Sequence, residues 1–100
     1  MMKSNLVKTL EKRLKDTQKE LDECTARIQQ YDIEVARLSA IIMNVDHNTD
    51  PKELAEANHL APHYGTVIRK LEARIKELER KREVDNYSLQ SELRKQPMPA

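Results

Sequence analysis

The sequence predicts an all-α fold: a long antiparallel helical hairpin of coiled-coil type, with a short helix in the connection and a helical bundle formed by dimerisation. Three observations carry this reading. The composition is that of long helices. Apolar residues recur at an average spacing of 3.5 along most of the chain. A single stretch, NVDHNTDPKELAEANHLAPHYG at residues 44–65, interrupts the pattern.

Charged residues make up 35% of the 100 and aromatics 3%, with no Phe and no Trp. A globule of this size normally fills its core with large aromatics, because each buries a large apolar area. Here Leu, Ile and Val do that work among many Glu, Lys, Arg and Ala, a mix typical of long helices.

The first helix is predicted over about residues 4–43. Val7, Leu10, Leu14, Thr17, Leu21, Cys24, Ile28, Tyr31, Val35, Leu38 and Ile42 follow one another in alternating steps of three and four. That period keeps one narrow seam turned toward a partner helix. Ser4 suits the N-cap, and Glu11–Lys15 and Glu23–Arg27 are favourable i,i+4 pairs. A helix of this span is roughly 60 Å long at 1.5 Å per residue, and its stability must come from packing against another element.

The connection is predicted to hold a turn and a short helix over 44–61. Asp50-Pro51-Lys52-Glu53 reads as a helix start, with Asp as N-cap and Pro at the first helical position. Pro62 disfavours helix at Ala61 and is expected to separate this short helix from the next. His59 and His63 have the i,i+4 spacing of a zinc-binding helix. Pro62 lies between them and no second Cys or HExxH pattern supports a metal, so solvated or capping histidines are expected.

The second helix is predicted over about 62–96, ending before a Pro-containing tail at 97–100. Tyr64, Ile68, Leu71, Ile75 and Leu78 resume the seam, which then meets Arg82 and Asp85 before Leu89 and Leu93. With Ile42 placed beside Tyr64, seam partners have numbers summing to about 106. Tyr31 then faces Ile75, Ile28 faces Leu78, Cys24 faces Arg82, Leu21 faces Asp85 and Thr17 faces Leu89. The polar slots of the second helix thus meet the weakest part of the first seam, predicting an open or polar end. Arg82 and Asp85, three apart, are expected to be able to pair with each other.

Off-seam residues Leu6, Ile33, Ile41, Val67, Val84 and Tyr87 widen the stripe beyond what one hairpin covers, which favours a bundle of two copies or docking on a larger protein. The expected function is a non-enzymatic coiled-coil interaction module: an adaptor, assembly factor, chaperone-like subunit or small inhibitor of a larger protein. Thr17, Leu21, Cys24, Arg82, Asp85, Tyr87 and Leu89 are its candidate interaction residues. No catalytic, cofactor-binding or metal-ligating set is predicted, because no phosphate loop, nucleophile elbow or triad-like grouping occurs.

A nucleic-acid-binding hairpin is the alternative, using Arg69, Lys70, Arg74, Lys76, Arg80, Lys81 and Arg82 on the second helix. Glutamates 72, 77, 79 and 83 interrupt that row, and the net charge is only +1. An all-helical enzyme ranks third, since only Arg82 and Asp85 put charge in a seam. No apolar run approaches 18 residues and no leader pattern is evident, so no membrane segment is expected. The lone Cys24 fits a reducing, cytoplasmic setting.

Overall fold

The computed structural model describes residues 4–95 and contains two α-helices: α1 at Asn5–Met43 and α2 at Pro51–Lys95. No strand occurs among the described residues, and neither helix is long and apolar enough to cross a membrane. The predicted stop at Pro97 and Pro99 lies outside the described residues.

Burial follows the periodicity of the sequence. In α1, Val7, Leu10, Thr17, Leu21, Cys24 and Leu38 are buried, while Leu14, Ile28, Tyr31, Val35 and Ile42 are partly covered. Each predicted stripe position is therefore shielded, as steps of three and four on a 3.6-residue turn require. In α2 the shielded positions include the run Leu54, Ala57, Ala61, Tyr64, Ile68, Leu71, Ile75, Leu78, Arg82, Asp85, Leu89 and Glu92, with Leu60, Gly65, Val67, Ser88 and Ser91 partly covered beside it. The same alternation of three and four continues along the whole helix. Glu92 takes the step after Leu89, and Leu93, placed on the seam by sequence, is exposed.

The predicted break at Pro62 does not occur. Residues 51–61 and 62–95 form one helix with Pro62 inside it, so the connection shrinks to residues 44–50 and holds no short helix of its own. A helix-interior proline loses one i→i−4 hydrogen bond and crowds the preceding turn. Asn58 and Pro62 are both exposed, so bulk water is at hand for the carbonyl left without its amide. The covered residues Leu54, Ala57, Ala61 and Tyr64 hold the segment on the seam, and this packing outweighs the local preference.

Gly65, one turn further on, has an ordinary negative φ, and a Cβ added there meets nothing within 4 Å. Gly65→Ala is therefore expected to stabilise the chain by about 0.5–1 kcal/mol through helix propensity and a less flexible unfolded state. Urea unfolding followed by circular dichroism checks this. A loss of stability would show that the glycine is needed for close packing.

The chain clusters into two compact units, one formed by Met1–Glu23 with Ile75–Ala100 and the other by Cys24–Arg74. In the Cys24–Arg74 unit, the end of α1 and the start of α2 are joined by a tight turn. The Asp46 carboxylate accepts from the Asn48 amide at 2.8 Å and from the Thr49 hydroxyl at 3.3 Å. Thr49 Oγ1 in turn accepts from the Asp46 amide at 2.9 Å. Asp50 then caps α2 as predicted, its carboxylate accepting from the Lys52 amide at 2.9 Å. Leu38 and Ala57 are buried in this unit, and the rings of Tyr31 and Tyr64 meet with centroids 5.2 Å apart. Glu34 accepts from Arg37 at 2.9 Å, a hydrogen bond that raises the guanidinium pKa above its ordinary value. The Glu34 charge and, more weakly, Glu53 and Glu56 of α2 pull the same way. Arginine is already protonated throughout the physiological range, so this shift carries no pH switch.

In the other unit, Ser4 caps α1 as predicted. Its hydroxyl accepts from the Val7 amide at 3.1 Å and its carbonyl from the Lys8 amide at 3.1 Å. Val7, Leu10, Thr17 and Leu21 of α1 are buried, as are Leu78 and Asp85 of α2. Two cross-helix contacts set the pairing: Arg13 Nη2 to Asp85 Oδ1 at 3.1 Å, and Arg82 Nη1 donating to Gln18 Oε1 at 3.0 Å.

These contacts correct the predicted register. Tyr31 meets Tyr64 rather than Ile75, Asp85 meets Arg13 rather than Leu21, and Arg82 meets Gln18 rather than Cys24. Numbers summing to 95 for the tyrosines, and to 98 and 100 for the long-armed polar pairs, replace the expected 106. The cause is the continuous α2. Once the helix starts at Pro51 instead of at Pro62, the pairing shifts by about two to three turns.

Candidate functional site

The unit of Met1–Glu23 and Ile75–Ala100 carries a cleft of about 460 Å³ between the two helices. On the α1 side it is lined by Leu6, Leu10 and Arg13. Val84, Asp85, Tyr87, Ser88 and Ser91 line the α2 side, with Glu92 and Lys95 toward the helix end. Its origin is visible in the spacing. Val84, Ser88, Ser91 and Lys95 succeed one another by four, three and four along one flank of α2. Serine at the two middle positions leaves a trough where larger side chains would fill the space.

Asp85 is the unusual group. It is 2% exposed, and one carboxylate oxygen takes the hydrogen bond and charge of Arg13, whose side chain is half exposed. The other oxygen, Oδ2, is buried with no hydrogen-bond partner among the described residues. A buried acceptor left unmet costs about 1–3 kcal/mol. Glu92 accepts from Lys95 at 3.1 Å at the cleft's far end. The rim is apolar: Leu6 is half exposed, Val84 is 64% exposed and the Tyr87 ring is 77% exposed.

The candidate residues separate by burial. Thr17, Leu21, Cys24 and Asp85 are buried within the single chain. Arg82 and Leu89 are partly covered, and Tyr87 alone of the seven stands out in solvent. At the expected open end Val7, Leu10, Thr17, Leu21 and Asp85 are buried, while Leu6, Val84 and Tyr87 stay exposed around the cleft. The expected Arg82–Asp85 contact is replaced by two cross-helix partners, because both side chains point at α1 rather than along α2. Ser88 and Ser91 were not singled out from sequence, and Leu10 was read only as a seam position, since their place at a cleft depends on which turns of the two helices face each other.

The histidines do not converge. His47, His59 and His63 are exposed, and His63 lies against its neighbour Tyr64 with ring centroids 5.8 Å apart. Among the described residues no three His, Cys, Asp or Glu side chains are grouped to hold a metal ion.

Comparison of this chain with protein-family models, with curated proteins and with solved structures finds no match.

Proposed function

We propose that the chain is a non-enzymatic protein–protein interaction module built on coiled-coil-type helix pairing, of the adaptor, assembly-factor, chaperone-like or small-inhibitor kind. The observation that carries this reading is the apolar surface left beside the filled seam. Val84 and Tyr87 on α2 and Leu6 on α1 remain exposed around a cleft, although the seam positions next to them are covered. Large exposed aromatics grouped with aliphatic residues are typical of surfaces that bind other proteins. The proposed setting is cytoplasmic, where Cys24 stays reduced.

The test is affinity capture from the source cell with the tagged chain as bait and mass-spectrometric identification, run beside Val84→Glu. The expected result is one or a few proteins retained by the parent and lost with Val84→Glu, whose site is exposed and whose fold should survive. Retention of the same proteins by both would place binding elsewhere, and a chain that retains nothing would count against the module. A nucleic acid eluting in place of protein, in a salt-dependent way, would move the reading to the basic face of α2.

A further inference from the structure

We infer that the outer face of α1 in the Met1–Glu23 and Ile75–Ala100 unit binds duplex nucleic acid through its phosphates, with Lys8, Lys12, Lys15 and Lys19 as the contacting residues. None of the four lines the cleft, so this site goes beyond the protein-capture reading and does not rest on it.

The four lysines follow one another in steps of four, three and four, which sets them in a row along one side of a helix. Val7, Leu10, Leu14, Thr17 and Leu21 take the opposite side and are covered, whereas all four lysines are exposed. At 1.5 Å per residue the row is about 17 Å long.

An ordinary solvated face mixes its signs, so that each charge has an opposite neighbour. On α2 the basic residues are mixed in this way with glutamates 72, 77, 79 and 83. The α1 row is different. Among the described residues none of its lysines has an ion pair, while Arg13, Arg37 and Lys95 each have one. Asp16 and Glu23 stand four residues after Lys12 and Lys19, the less favourable order for an i,i+4 pair. Lys8–Lys12 and Lys15–Lys19 are themselves like-charge i,i+4 pairs, which weaken a helix. The first turn of α1 holds no acidic residue, and Lys8 stands at the end where the helix dipole disfavours cations. Residues 1–19 contain six basic and two acidic residues, a net charge of +4 in a chain whose total is +1. An anion laid along the row relieves each of these repulsions.

The kind of anion follows from what the row lacks. Protein interfaces centre on aromatic, Met and Arg side chains and are depleted of Lys. Single strands are held by stacking bases on aromatic rings, and α1 has no aromatic residue before Tyr31. An anionic membrane takes up a helix whose apolar side is free to enter it, but that side of α1 is covered in the seam. Lysine is a flexible point charge that meets phosphate without fixed geometry, and a duplex presents phosphates in regular rows. Contacts of this kind position the duplex and carry no sequence preference.

Fluorescence anisotropy with a short duplex DNA of mixed sequence, repeated over a series of salt concentrations, tests the site. The parent is expected to bind at low salt, with log K falling against log salt at a slope of about −3 to −4, or roughly 0.9 for each of four phosphates met. Lys12→Gln is expected to reduce that slope by about 0.9 and to weaken binding alike for all sequences. Changing all four lysines to Gln should abolish binding, and changing all four to Arg should preserve it. Circular dichroism checks that these exposed substitutions leave the helices in place. A charge-matched control, with Arg69, Lys70, Lys76 and Arg80 of α2 changed to Gln, should keep a slope near the parent's.

A parent that fails to bind the duplex at low salt overturns the inference, as does a control that loses as much as the lysine variant. Preference for poly-glutamate or for phosphatidylserine vesicles over the duplex would make the ligand an acidic protein or a membrane, and also overturns it. Capture of protein at the cleft, read in nuclease-treated lysate with Val84→Glu, involves none of these lysines, so the two readings fail separately.

Discussion

Leu78→Ala is expected to destabilise the chain by about 2–5 kcal/mol, the range for truncating a fully buried leucine. Leu78 is 1% exposed and, in the register fixed by the Gln18–Arg82 and Arg13–Asp85 contacts, lies level with Leu21 of α1, which is also buried. Small domains have only about 5–15 kcal/mol in total, and a loss of this size removes much of it. Leu71→Ala, at a partly covered position, should cost less. Equilibrium unfolding in urea at matched, low chain concentration compares the two, and a larger loss at Leu71 would contradict the burial order. The sequence places Leu71 and Leu78 in one continuous apolar half of the seam, and of the two only Leu78 is fully buried.

The second large effect is an asymmetry between the members of one ion pair. Arg13→Ala should destabilise the chain by about 1–3 kcal/mol, because it leaves a buried carboxylate with no donor on either oxygen. Asp85→Leu should instead be neutral or stabilise, by up to about 4 kcal/mol. That change removes the desolvation of the carboxylate and its unmet oxygen and puts apolar volume in the seam. The Arg13 it strands is half exposed and can turn to water, so the pair's own attraction is modest. Thermal and urea unfolding of both variants read the difference. Destabilisation by both changes would mean that the pair is worth more than the cost of burying it. The expectation of an open polar end predicted a negligible effect for any change at Asp85, and its burial replaces that.

Most of the helical architecture was legible, and the reasons are physical. The seam of α1 could be read without a slip because its positions are mostly large apolar residues separated by charged ones. Ser4 and Asp50 announced their helices because a side-chain oxygen before the first turn has few other uses. The start of α2 was harder to read. Leu54, Ala57, Ala61 and Tyr64 keep the seam spacing, yet the two alanines between them carry too little apolar area to outweigh the proline in a local reading. Tertiary packing decides such a conflict, and a single sequence does not display it. That one misplacement carried through to the site. Val84, Tyr87 and Leu6 stood out as surplus apolar residues, but the cleft they border exists only in the register that a continuous α2 imposes. Asp85 was singled out for its place on the seam, and its partner on α1 was hidden for the same reason.

The short turn at Asp46–Thr49 has a consequence for the order in which the chain assembles. Tyr31 and Tyr64 are separated by 33 residues along the chain, and Arg13 and Asp85 by 72. Closing the longer loop directly from an extended chain costs only about 0.6 kcal/mol more per doubling of length. A zipper starting at the turn avoids even that, since each pair formed brings the next within reach. Contacts local in sequence form early and distant ones late. The residues around the cleft, furthest apart along the chain, are thus the last to meet.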